Sequence, residues 1–128
     1  MKPSQSSIYR ETERLLELSI DTVERLPKSA SWNVVGKRTI NNIMDSLDFT
    51  VLALQAKEGQ QRLEMIDAII VRMTAVKMAY RQMVNLRKVS TKQYGRFLDL
   101  LNSIATQLGA WQNKQRQIAK VAEREPLK

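Results

Sequence analysis

The chain contains no cysteine and no histidine. The absence of cysteine excludes disulfides, thiolate zinc sites and thiol nucleophiles, and it is compatible with a reducing cytosol. The absence of histidine removes the Glu-x-x-His motifs of di-iron helical bundles. None of the four glycines is near another, which excludes a glycine-rich phosphate-binding loop. We therefore expect a protein that is not an enzyme and that holds no metal ion and no cofactor.

Three pairs of carboxylates remain as candidates for chemistry. They lie at helical spacing: Glu13 with Glu17, Asp45 with Asp48, and Glu64 with Asp67. Because a di-iron site in a helical bundle also needs histidine, we interpret these pairs as solvated surface.

Long apolar runs are also missing. The longest runs, residues 49–54 and 68–71, are far shorter than the roughly 20 residues that span a bilayer. Residues 1–6 lack the apolar core of a signal peptide, so we expect a cytoplasmic protein with no membrane partner.

Few helix breakers interrupt the chain, which has three prolines and four glycines. Between them, apolar residues recur at close to 3.6 residues and predict four helices, at about residues 6–25, 32–57, 61–87 and 91–115. Ser6 or Ser7 is expected to cap the first helix, Pro27 follows its end, and Gly59 is expected to stop the second. Ser90 and Gln93 match a capping box at the start of the fourth.

Helices of this length joined by short loops favour an all-α, antiparallel up-down four-helix bundle. We expect the bundle to occupy residues 6–117 and a basic, flexible C-terminal tail to occupy residues 118–128. The second helix is predicted to bury Val35, Ile40, Ile43, Leu47, Val51 and Leu54. The third is predicted to bury Leu63, Ile66, Ile69, Met73, Val76, Tyr80 and Met83.

More apolar residues are present on the two middle helices than one core stripe needs. The surplus residues are Phe49, Leu52, Ala53, Ile70, Val71, Met78 and Ala79. A second apolar strip is typical of contact with another chain, so we expect a homo-oligomer. A broad core stripe is the alternative, and it would account for about half of these residues.

Positive charge is concentrated in the second half of the chain. Residues 1–67 hold nine Lys or Arg against ten Asp or Glu, whereas residues 68–128 hold twelve against three. No acidic residue occurs from Ala68 to Leu98. A surface of this kind attracts phosphate backbones, anionic lipid or an acidic protein. Helix three is the best candidate for a membrane surface, but its apolar face is needed for the core.

The candidate residues for binding nucleic acid or a protein partner are basic. Rotation by 100° per residue places Lys77, Arg81 and Lys88 in one narrow sector of the third helix, beside the core stripe. The full predicted set is Lys77, Arg81, Arg87, Lys88, Lys92, Arg96, Lys114 and Arg116.

Aromatic residues suggest base stacking, but most have a simpler role. Tyr80, Tyr94 and Trp111 fall on apolar stripes, which favours core packing. Trp32 is ambiguous, because it opens the second helix near Lys28 and either plugs the bundle end or lies at a contact surface. No base-reading motif is present, which favours recognition of nucleic acid by backbone and shape.

Four short motifs occur in order along the chain: Leu26-Pro27-Lys28-Ser29, Lys77-x-x-x-Arg81, Val89-Ser90-Thr91-Lys92-Gln93-Tyr94 and Leu108-Gly109-Ala110-Trp111. Together they resemble the accessory variability determinant (Avd) family of diversity-generating retroelements. The resemblance covers about residues 15–114. Gln112-Asn113 and the basic tail depart from the family pattern, in which an apolar residue often follows the tryptophan.

The resemblance implies a barrel-like homopentamer of four-helix bundles. Such a protein binds the retroelement's reverse transcriptase and its template RNA, and possibly DNA, to support mutagenic cDNA synthesis. In the family, basic residues of the third helix contact these partners, and their matches here are Lys77 and Arg81. The alternatives are a related four-helix protein of a 23S rRNA intervening sequence, which shares the Leu-Pro-Lys entry to helix two, and a general RNA-binding bundle.

Overall fold

The computed structural model describes residues 2–124, which form four long helices. These are α1 (Ser7–Glu24), α2 (Ala30–Gln55), α3 (Gly59–Asn85) and α4 (Thr91–Arg124), preceded by a short 3₁₀ helix at Pro3–Gln5. There is no β-strand within this described part of the chain. The expected all-α class with four helices is confirmed.

Serine side chains begin three of the four helices. The Ser6 Oγ accepts a hydrogen bond from the backbone N–H of Tyr9 at 3.3 Å, as expected for α1. At α4, Ser90 and Gln93 form the predicted reciprocal pair, in which the Gln93 N–H donates to Ser90 Oγ at 3.1 Å. The Ser29 Oγ accepts from the N–H of Trp32 at 3.2 Å and begins α2. Each of these bonds satisfies one of the donors that a helix start leaves unpaired.

Two helix boundaries differ from the expectation. Gly59, expected to stop α2, is instead the first residue of α3, because α2 already ends where Ala56 adopts an extended backbone. Helix α4 continues to Arg124 instead of ending near residue 115. The extra residues are mostly Gln, Ala, Lys, Arg and Glu, which favour helix. The expected tail is therefore helical over residues 118–124, and its remainder, 125–128, lies outside the described residues.

The core stripe of α3 is largely as predicted. It contains Ile66, Ile69, Met73, Val76, Tyr80 and Met83, all buried. Helix α4 contributes Phe97, Leu101, Ile104 and Leu108. The Tyr80 and Phe97 rings stack with their centroids 3.7 Å apart.

The predicted core stripe of α2 is mostly wrong, since Ile43 is the one predicted residue that is fully buried. The buried residues of this helix are Gly36, Thr39, Ile43, Ser46, Thr50 and Ala53, so the centre of the buried face is rotated away from most of the large apolar side chains. Its three hydroxyl groups each donate to the backbone carbonyl four residues earlier, at 2.7–2.8 Å. A buried hydroxyl that is hydrogen-bonded carries little penalty, and the small side chains allow neighbouring helices to approach closely.

The helices pack as a ring of four neighbours: α1 with α2, α2 with α3, α3 with α4, and α4 with α1. Between α1 and α4, the Glu11 carboxylate accepts hydrogen bonds from Ser103 Oγ and Gln107 Nε2. Across the core, Ser19 Oγ and the Tyr80 hydroxyl are 2.8 Å apart.

Core packing accounts for part of the surplus apolar set. Ala53 is fully buried, and Phe49, Ile70 and Ala79 are half-buried against the core. The remaining three side chains are largely exposed, with Leu52 at 48%, Val71 at 66% and Met78 at 65%.

Candidate nucleic-acid interface

Residues 68–98 contain no acidic residue, and Arg72 is the one cation among them that forms an ion pair with another helix. Its Nε lies 3.6 Å from an Asp45 carboxylate oxygen, and its guanidinium lies 4.5 Å from the centroid of the Phe49 ring. Its Nη1 also donates to the carbonyl of Ala68. Arg72 therefore ties α3 to α2.

The other six cations of this stretch are exposed: Lys77, Arg81, Arg87, Lys88, Lys92 and Arg96. Among residues 2–124, Arg25 pairs with Asp21 and Arg72 pairs with Asp45, whereas none of the six forms an ion pair with a described carboxylate. Their exposed positive charge can attract an anionic partner.

Lys77 and Arg81 lie one helical turn apart on α3, beside the buried stripe. Lys77 lines an apolar groove of about 330 Å³ between α3 and α4, where Met73 and Leu101 are among its neighbours. Their spacing of four residues places the pair on one side of the helix. Lys88, predicted to continue the same line, does not do so, because α3 ends at Asn85.

A tight turn at the end of α3 is the reason that Lys88 leaves the helix. Arg87 has a positive φ of 59°, the left-handed conformation usually taken by glycine. The N–H of Lys88 donates to the carbonyl of Met83 at 2.8 Å, and the N–H of Arg87 donates to Val84 at 3.1 Å. These two bonds are a Schellman motif. Buried Val89 follows, which anchors the turn and leaves the Arg87 and Lys88 side chains exposed.

Sequence reasoning did not place three further cations, Lys28, Lys37 and Arg38, in the candidate set. All three are exposed. Arg38 and Gln82 line one cavity of about 300 Å³ between α2 and α3, which places the start of α2 beside the end of α3. Only contacts between distant parts of the chain reveal this placement.

Together these contacts gather the α1–α2 and α3–α4 loops. The Tyr80–Phe97 stack joins the end of α3 to the start of α4, and Ser19 joins the last turns of α1 to Tyr80. We call the cations of this region the basic end: Lys28, Lys37, Arg38, Arg81, Arg87, Lys88, Lys92 and Arg96. Of the nearby carboxylates, Asp21 is paired with Arg25.

Lys114 and Arg116 are not part of the basic end. They follow Arg96 on α4 by about 27 Å or more, at 1.5 Å per residue. Gln115, between them, is buried near Gly59 at the start of α3. The predicted set is thus divided between two regions.

The carboxylate pairs are more structural than expected. Asp45 binds Arg72, and an Asp67 oxygen accepts from Gln112 Nε2 at 2.7 Å. Within residues 2–124, no group of three or more acidic side chains is arranged to hold a metal ion.

No protein-family model, curated protein or solved structure matches this chain. Among the described helices, none is long and apolar enough to cross a membrane.

Proposed function

We propose that this protein is a non-enzymatic accessory subunit of a diversity-generating retroelement. It binds the reverse transcriptase and the template RNA, and it supports mutagenic cDNA synthesis. The observation that carries the proposal is a group of exposed, unneutralised cations, Lys77 with the basic end, on a rigid helical scaffold.

The positions of the motif residues support the resemblance to the Avd family. Leu26 and Val89 are buried, and Ser29 and Ser90 begin helices, so these residues maintain the fold. The Lys77–Arg81 pair is exposed, and neither residue forms an ion pair with a described carboxylate. The pair is therefore accessible to the partner that the resemblance implies.

The charge arrangement favours an RNA backbone. Each phosphate neutralised by a lysine or arginine releases counterions, so binding is expected to be largely independent of sequence and to weaken steeply as salt rises. Affinity that stayed constant between low and high salt would contradict this electrostatic account.

We also propose that the helices run antiparallel and that five chains assemble as a barrel-like ring. Support comes from the order of contacts along α3 and α4, where Tyr80 meets Phe97 and Asp67 meets Gln112. The exposed Val71 and Met78 of α3 provide an apolar surface for the neighbouring copy. A ring would repeat the basic end in every subunit and strengthen its attraction for RNA.

Replacing both Lys77 and Arg81 with alanine tests the proposal. The double variant should fold normally, since exposed substitutions change stability by about 0.5 kcal/mol or less. Its capture of the reverse transcriptase–RNA complex in a pull-down should fall by about tenfold or more, since charged contacts at interfaces contribute energies of this size.

The matched control replaces Lys57 and Lys120, two exposed cations outside the basic end, with alanine. It removes the same net charge. Equal losses of capture in both variants would mean that only overall charge matters. Capture of RNA without any polymerase would favour the general RNA-binding bundle or the rRNA intervening-sequence protein.

A further inference from the structure

A cleft of about 510 Å³ opens at the α1–α2 loop, within the basic end. Its lining includes Leu26, Pro27, Lys28, Trp32 and Asn33. The cleft holds an aromatic ring next to a cation.

Trp32 lines this cleft from the first turn of α2. Its backbone N–H donates to Ser29 Oγ at 3.2 Å, which fixes it in the first turn of α2. The indole is only half-buried, with part of it against the core and part lining the cleft. Leu26 and Val89, one from each loop, are already buried at this end. The core therefore does not enclose the whole indole, and part of the ring is available for stacking.

The charges around the cleft suit a nucleic-acid strand. Lys28 lines the cleft, and Lys37, Arg38 and Arg87 belong to the same end of the molecule with no described carboxylate paired to them. Glu24 is the one carboxylate in the lining. Proteins that bind single strands combine such cations, which follow the backbone, with aromatic rings on which bases stack.

We propose that this cleft binds one unpaired base of single-stranded RNA, which stacks on Trp32 while Lys28 contacts the adjacent phosphate. The inference rests on the proposed RNA binding. It explains how the protein would distinguish a single strand from a duplex. A duplex keeps its bases paired and stacked inside, so it offers the cleft only phosphates.

Fluorescence of Trp32 tests the proposal directly. The chain has two tryptophans, so a Trp111→Phe variant leaves Trp32 as the reporter. An oligouridylate of about twelve nucleotides should quench its emission on binding, whereas an RNA duplex of equal charge should bind with little quenching. The reciprocal Trp32→Phe variant, which retains Trp111, is the control and should show little quenching with either RNA.

Affinity provides the second measurement. Trp32→Leu should bind the single strand about tenfold more weakly, as expected for loss of one stacked base, and should bind the duplex with unchanged affinity. Trp32→Phe should retain most of the affinity, because it retains an aromatic face.

Each other outcome has a distinct meaning. If Trp32→Leu binds both RNAs as the wild type does, and Trp32 emission does not change, the stacking proposal is wrong while electrostatic RNA binding stands. An equal loss for single strand and duplex would assign Trp32 a structural role only. If Trp32→Leu does not fold, the fluorescence of Trp111→Phe decides whether the stacking proposal holds. Quenching by the single strand supports it, and no quenching contradicts it. If the wild-type protein binds neither RNA, the proposed function itself fails.

Discussion

Arg87 combines an unfavourable backbone conformation with a charged side chain that belongs to the basic end. Its left-handed backbone closes the Schellman motif of α3, a position where glycine avoids a cost of about 1–2 kcal/mol that other residues incur. An arginine there is unfavourable for the fold. Residues in strained conformations cluster at functional sites, and here the side chain belongs to the basic end.

We expect Arg87→Gly to separate the two roles. Thermal or chemical denaturation should show a gain in the free energy of unfolding of about 0.5–1 kcal/mol, because the relief of backbone strain exceeds the entropy cost of the more flexible glycine in the unfolded chain. If the basic end binds RNA as proposed, RNA affinity measured at low salt should fall in the same variant, because one cation of that end is lost. A variant that was less stable than the wild type would contradict the account of the turn.

Tyr80 gives a residue-level prediction for pH. Burial raises the pKa of its hydroxyl above the ordinary value of about 10, and hydrogen bonds with Ser19 and Thr22 lower it in part. The unfolded chain therefore ionises Tyr80 at a lower pH than the folded chain does. The stabilisation from neutral Tyr80 is fully present below about pH 10 and is lost as the pH rises through the folded-state pKa.

Comparison with Tyr80→Phe isolates this effect from those of the other ionisable groups. Near neutral pH, Tyr80→Phe should lower the free energy of unfolding by about 1 kcal/mol, because the hydrogen bond with Ser19 is lost. The difference between the two proteins should shrink above about pH 10. A difference that stayed constant to high pH would show that Tyr80 ionisation is not coupled to unfolding.

At the scale of elements, α2 shows where hydrophobic periodicity fails. Sequence alone predicts most of the buried face of α3, because its large apolar residues fall on one stripe. In α2 the same reasoning selects Leu47 and Val51, yet Ser46 and Thr50 are the buried residues. Their hydroxyls donate to carbonyls of their own helix, so they behave in the core as small side chains. The distance between the packed helices determines which residues of α2 are buried. A hydrophobicity scale contains no information about that distance.

Gly36 is a point of close packing between α2 and α1. A β-carbon at this position would lie 2.6 Å from Val23 Cγ1, so the valine side chain or one of the two helices would have to shift. We expect Gly36→Ala to lower the free energy of unfolding by about 1–3 kcal/mol, although alanine favours helix. Gly109→Ala is the control, since nothing lies within 4 Å of its β-carbon position, and it should stabilise by about 0.5–1 kcal/mol.

Combining Gly36→Ala with Val23→Ala tests the cause. If the valine methyl is the obstacle, the double variant should be more stable than the sum of the single changes implies. Strict additivity would mean that Gly36 is needed for another reason.

At the scale of the whole molecule, the fold brings cations from both halves of the chain to the basic end. The count along the chain predicts the basic character of α3 and of the start of α4. It cannot predict that Lys28, Lys37 and Arg38 join them, because these residues lie in the half of the chain that is nearly neutral. Nor can it predict that Arg72 is held by Asp45 or that Lys114 is distant. Contacts between helices decide all of these placements.

The exposed apolar side chains of α3 carry the last prediction, which concerns assembly. Light scattering at micromolar concentration and moderate salt should give a mass of about 74 kDa, five times the 14.8 kDa of one chain. Val71→Glu together with Met78→Glu should dissociate the ring without unfolding the chain, because both side chains are about two-thirds exposed here. A charge buried at an interface without a partner is strongly unfavourable.

Thr106→Glu with Asn113→Glu adds the same charge at exposed positions of α4 and should leave the mass unchanged. A monomer mass for the wild-type protein would rule out the ring, and equal dissociation of both double variants would assign the effect to net charge instead of to the α3 surface.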